Sequence, residues 1–153
     1  MLKKNLAYLM FIFVFIFPIA SQNIQNTPTY GVHSLSAGFP EDPYSIEVQA
    51  GGGDYPRIQG IGYVGYIYAD APDILIEYEE GEHSLYFHVF CSVDSTLLIH
   101  TPQGEWLFND DTYGHDPGIH IEEPVSGNYT VWIGTYRDSG VPRAVLRISE
   151  NAF

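Results

Sequence analysis

Between residues 94 and 116 the chain gathers four aspartates and an asparagine, Asp94, Asn109, Asp110, Asp111 and Asp116, with Gly114 inside the loop that carries the last of them. Carboxylates and an amide on a glycine-containing loop are oxygen donors on a flexible frame, which is what a hard cation uses. Calcium takes six to eight oxygens at roughly 2.3 to 2.6 Å and completes its shell with carbonyls and water. The spacing therefore predicts calcium as the cofactor, held by these five residues, provided that the turn bearing Asp94 and the loop bearing the others lie at one end of the fold. The competing expectation is that Asn109 and the aspartates cap backbone amides in turns.

Six histidines raise the question of zinc. His88 and His100 flank the Ser92 to Ser95 turn nearly symmetrically, so a hairpin would set them almost opposite each other, with His120 as a third candidate ligand. No His-Glu-x-x-His pattern is present, and the three are expected instead as partly exposed polar residues on a sheet face. Catalytic motifs are missing as well. There is no Gly-x-Ser-x-Gly elbow, Gly51 to Gly53 lacks the lysine of a phosphate loop, and Glu79-Glu80 and Glu122-Glu123 read as solvated strand ends. Cys91 falls on the apolar side of an alternating run and reads as a small buried residue. The chain is accordingly expected not to be an enzyme. Trp106 beside the acidic loop and Tyr113 within it are the candidate ligand-binding aromatics, joined more weakly by Tyr63, Tyr66, Tyr68 and Tyr136. Aromatic faces of this kind suit sugars or peptides, although most of the tyrosines are expected to be structural.

The elements that must position these residues have a period of two. Ile46, Val48 and Ala50 share a face, as do Ile74, Ile76 and Tyr78, then Leu85, Phe87, Val89 and Cys91, and the pattern recurs at 95–100, 118–122, 128–136 and 144–149. Apolar alternation over short runs is the signature of half-buried strands. Turn clusters separate the runs, among them Thr101-Pro102-Gln103-Gly104 and Ser126-Gly127-Asn128. Eight or nine short strands and no helical stripe predict an all-β fold, an antiparallel sandwich or jelly roll. Trp132 points opposite to Val131 and Ile133 and is expected to pack beneath a loop.

The chain has 153 residues, 19 acidic against 6 basic, and a formal charge of −13. Counterion release on nucleic acid needs clustered lysine and arginine, so a nucleic-acid partner is excluded. Met1 to Asn5 with its two lysines, the apolar run Leu6 to Phe17, and the small residues after Pro18 predict a cleaved secretory signal at 1–21. The run is shorter than the roughly 20 residues that a membrane span needs, so no membrane insertion of the mature chain is expected. Loss of Lys3 and Lys4 leaves a lysine-free protein and takes the formal charge from −13 to −15. Residues 22–43 are predicted to be an extended polar leader, and 44–153 the folded domain.

Four segments in order carry a resemblance: Asp94-Ser95-Thr96-Leu97-Leu98-Ile99, Pro102-Gln103-Gly104, Asn109-Asp110-Asp111, and Ser126-Gly127-Asn128-Tyr129-Thr130-Val131-Trp132-Ile133-Gly134. Here the chain resembles the bacterial pre-peptidase C-terminal (PPC) domain family, secreted β-sandwich modules found beside peptidases and other exported enzymes. The match runs from Ile74 to Glu150, with Gln103 where the family usually has an acidic residue. The resemblance implies a sandwich fold, a non-catalytic role and calcium near the acidic loop. Taken together, the expectation is a secreted, extracellular or periplasmic accessory module, calcium-stabilised, acting on an extracellular protein or polysaccharide. The alternative is a structural subunit of an extracellular assembly, formed by self-association.

Overall fold

The computed structural model of the chain describes residues 23–153, and the segment expected to be a signal peptide lies outside them. Eleven strands follow in order: β1 (Val32–Ser36), β2 (Tyr44–Gln49), β3 (Arg57–Ile58), β4 (Gly62–Tyr63), β5 (Ile74–Glu79), β6 (Leu85–Cys91), β7 (Ser95–His100), β8 (Trp106–Asn109), β9 (Gly118–Ile121), β10 (Gly127–Thr135) and β11 (Arg143–Ser149). One sheet has the order β1-β5-β10-β7-β8 and the other β2-β11-β6-β9, while β3 and β4 form a small ribbon. No helix occurs among the described residues, so none there is long and apolar enough to cross a membrane.

Two apolar faces looking at each other make the sandwich. Ile46, Leu85, Phe87, Val89, Val131 and Leu146 belong to one buried cluster between the sheets, and their alternation along each strand is what turns them to a common side. The outer face of β10 and β7 has its own smaller cluster, in which Trp132 and Leu98 are covered by Ile58, Val64 and Ile67 of the excursion between β2 and β5. Gly134 lets this cover come close. A Cβ there would run into Thr96 Oγ1 and would stand 2.8 Å from the Tyr66 carbonyl oxygen.

Two expectations change. The stretch 22–43 is not a free leader, because its residues 32–36 form β1, which runs parallel to β5 at the edge of the first sheet. The N–H groups of Thr29 and Tyr30 donate to the carbonyls of Pro72 and Asp73 at 2.9 and 2.7 Å, and that of Ala37 donates to the Glu79 carbonyl at 2.9 Å. Backbone pairing holds this segment, and Leu35 is its one strand residue in the core, so it shows no apolar period. The sandwich is also not purely antiparallel, since the β1–β5 pair is parallel.

Strand direction divides the loops between two ends. The β6–β7, β8–β9 and β10–β11 connections share one end, called here the aspartate end. The β1–β2, β5–β6, β7–β8 and β9–β10 connections share the other.

Candidate functional site

Three connections are stitched together at the aspartate end. The N–H of Ser95 donates to the His115 carbonyl at 3.2 Å, and that of Tyr136 donates to the Asp94 carbonyl at 3.0 Å. The Cys91 N–H donates to Oδ1 of Asp116 at 3.1 Å. These bonds bring the turn bearing Asp94 against the loop bearing Asp110 to Asp116, though those residues lie far apart in sequence.

Within this frame one ligand atom from each of Asp94, Asp111 and His115 lies within 4.8 Å of the others. Asp94 Oδ2 is 3.6 Å from His115 Nδ1, and Asp94 Oδ1 is buried without a hydrogen-bond partner. Asp110 is half-buried beside them. Partial burial pushes its carboxyl above the usual aspartate range, and the charges of Asp111 and Asp94 add to the effect.

The other two residues of the expected cation set are engaged in the loop itself. Asn109 Oδ1 accepts the Thr112 N–H at 3.1 Å, the Thr112 hydroxyl at 2.7 Å and the Gly118 N–H at 3.0 Å. Asp116 fixes the end of β6 through Cys91. Asn109 Oδ1 and Asp116 Oδ1 are thus committed to backbone amides. His115 enters that group unanticipated. Its signal was its place between Gly114 and Asp116, whereas strand symmetry had drawn attention to other histidines.

Those other histidines do not meet. The chain crosses from one sheet to the other between β6 and β7, so no hairpin forms, and His88 and His100 lie in different sheets. His88 is 4% exposed, not a solvated face residue, and packs against Phe90 and Tyr113 at ring-centroid distances of 4.0 and 4.3 Å. Neither of its ring nitrogens has a partner. Burial holds its imidazole below the usual range, with Asp116 acting to raise it and Arg147 to lower it. His120 stacks on Tyr86 at 4.2 Å.

The candidate aromatics are divided between packed rings and exposed ones, with Tyr63 and Tyr113 among the exposed. Trp106 is half-buried against His100 and Trp132, at 4.6 and 5.6 Å, and Tyr113 covers His88. Tyr63, Tyr55 and Tyr66 form a column in which Tyr55 lies 4.8 Å from Tyr63 and 4.7 Å from Tyr66. Tyr68 and Tyr136 are exposed.

No protein-family model matches the chain, and no curated protein matches it. Among solved structures it is similar to the pre-peptidase C-terminal domain of a collagenase from Bacillus anthracis, at 12% identity and a TM-score of 0.48, covering 81% of this chain and 100% of that one. It is also similar to PliG of Aeromonas hydrophila, a periplasmic inhibitor of g-type lysozyme, at 15% identity and a TM-score of 0.40, covering 77% of this chain and 96% of that one.

Proposed function

We propose that the protein is an exported, non-catalytic binding module that acts on an extracellular protein or polysaccharide and is stabilised by calcium at its aspartate end. The observation that supports the metal is the convergence of Asp94 and Asp111 with His115, together with the orphaned Oδ1 of Asp94. Asp94 and Asp111 supply carboxylate oxygens in this reading, Asp110 reinforces the negative field, and carbonyls and water fill the remaining positions. The imidazole of His115 is a nitrogen donor and serves as a hydrogen-bonding neighbour, since calcium prefers oxygen. Asn109 and Asp116 keep the loop in shape.

Calorimetric titration with calcium, paired with melting curves in chelator, tests the metal. Heat on titration and a lower Tm in chelator are expected, and both should vanish when Asp94 and Asp111 are replaced together by asparagine. No heat and an unchanged Tm in the native protein reject calcium.

A structural subunit is the second reading. It is favoured by the edge positions of β1 and β8 in one sheet and β2 and β9 in the other, in a chain whose lysines are confined to positions 3 and 4. Lysine is a common protector of strand edges. Concentration-dependent dimers or larger species in light scattering support it, and a strict monomer rejects it.

A further inference from the structure

A cleft of about 570 Å³ lies where β2, β11 and β6 approach the aspartate end, and of its lining only Asp116 enters the metal reading. Its apolar part follows from strand register. Val145 on β11 is opposite Glu47 on β2 and opposite Phe90 on β6, so the three side chains stand in one row across the sheet. With neighbouring strands about 4.8 Å apart, Val145 and Phe90 form a strip about two strands wide with the Glu47 carboxylate at its edge. The Arg147 guanidinium lies over the Phe90 ring, 4.5 Å from its centroid, and bounds the strip on one side.

Two further charges border the cleft. Arg143 precedes Val145 by two residues and therefore shares its face, and Asp116 lines the side of β6. Asp116 is held in place there by the Cys91 N–H, and the Cys91 thiol donates to the Arg143 carbonyl at 3.6 Å, tying β6 to β11. The one ion pair among the described residues joins His115 to Asp94. Glu47, Asp116 and Arg143 thus border a single apolar strip without neutralising one another.

We propose that this cleft binds a short zwitterionic peptide, with its carboxylate on Arg143, its ammonium group on Glu47, and an apolar side chain on Val145 and Phe90. Charge selects this occupant. A lone basic side chain would gain a carboxylate but meet Arg143 and Arg147, and an anion would gain the two guanidinium groups but meet Glu47 and Asp116. A zwitterion pairs with Arg143 and Glu47 at once, and charge-assisted hydrogen bonds are the strong ones. The inference deepens the binding-module reading and rests on it, but is independent of calcium.

The test titrates the protein with the dipeptide Ala-Leu and with the same dipeptide N-acetylated and C-amidated, with and without chelator. Saturable binding of the free dipeptide is expected, weakened about tenfold or more by capping and about tenfold by Arg143→Gln or Glu47→Gln, each lost charge-assisted contact being of that order. Both variant positions are exposed, so their Tm should match the native value, and chelator should leave peptide binding unchanged. No saturable binding, or equal affinity for the capped form, overturns the proposal. Tighter binding by Arg143→Gln overturns it in favour of a basic side chain from a protein partner. Loss of the peptide signal with an intact calcium titration refutes this cleft alone, and the reverse refutes the metal alone.

Discussion

The two ends of the sandwich differ in how some of their acidic residues are used. Where β11 finishes beside the β1–β2 connection, Glu150 accepts the Gly38 N–H with both oxygens, at 2.8 and 3.0 Å, and the Tyr78 hydroxyl at 3.4 Å. Asp42 accepts the N–H of Glu150 and the side-chain amide of Asn151, while Glu80 and Ser126 exchange side-chain to backbone bonds. At the aspartate end Asp116 likewise holds a backbone N–H, that of Cys91, but Asp94 and Asp111 converge on each other and on His115. A carboxylate that accepts backbone N–H bonds keeps its charge stabilised and closes a loop. Carboxylates that face one another repel unless a cation joins them. The contrast separates structural acids from candidate ligands, although all carry the same charge.

Asp73 offers the sharpest way to test what a backbone partner does for a carboxylate, because it is almost wholly buried. Its Oδ2 accepts the Ile133 N–H at 2.7 Å, yet burial dominates and pushes its carboxyl from 3.8 up to about 7. The folded protein therefore holds this proton more tightly than the unfolded chain. The stabilisation is complete below pH 3.8 and is lost as pH rises toward about 7, a decline of order 4 kcal/mol at most. Urea unfolding across that range should show it. Asp73→Asn keeps an acceptor for Ile133 and should flatten the difference; an equally steep decline in the variant would refute the assignment.

Next in size are the braces themselves. Glu150→Ala hands the exposed Gly38 N–H to water and should cost about 0.5 to 1.5 kcal/mol in denaturant unfolding. The Tyr78 phenol, pushed up to about 12 chiefly by burial and then by Glu150, should titrate lower in the same variant, as read by ultraviolet absorbance. An unchanged Tyr78 titration would show that Glu150 does not act on it. Asn109→Ala, at the other end but equally braced, should cost a similar amount and disturb the loop that carries Asp110 to Asp116.

The smallest stability effect belongs to Asp94 and Asp111. Asparagine at either position should change stability without a divalent cation by no more than about 0.5 kcal/mol. Relief of like-charge repulsion favours a slight gain. A large loss from either single variant would place these two residues among the braces and erase the contrast between the ends.

Much of the fold was legible in the chain itself. Alternation marked β2, β5, β6, β7, β9, β10 and β11 close to their observed bounds, because each carries two or more residues that must turn toward the same core. β1 escaped because it contributes only Leu35 to that core and is held by main-chain bonds to β5. The pairing of His88 with His100 failed for a related reason. A turn between two strands reads alike whether the chain folds back in one sheet or crosses to the other, and only the partners β11 and β10 decide which.

Composition by itself determined an acidic chain poor in basic residues that repels polyanions, and periodicity determined a β-sandwich with Trp132 turned away from the main core. Which carboxylates are braces and which stand free was settled only by tertiary structure. That choice depends on which backbone N–H groups come within hydrogen-bonding reach, and those belong to segments far away in sequence. Gly38 reaches Glu150 and Ile133 reaches Asp73, while Asp94 reaches His115 and Glu47 lies in line with Val145 and Phe90. A residue's type sets the chemistry it can offer, and strand register sets whom it meets.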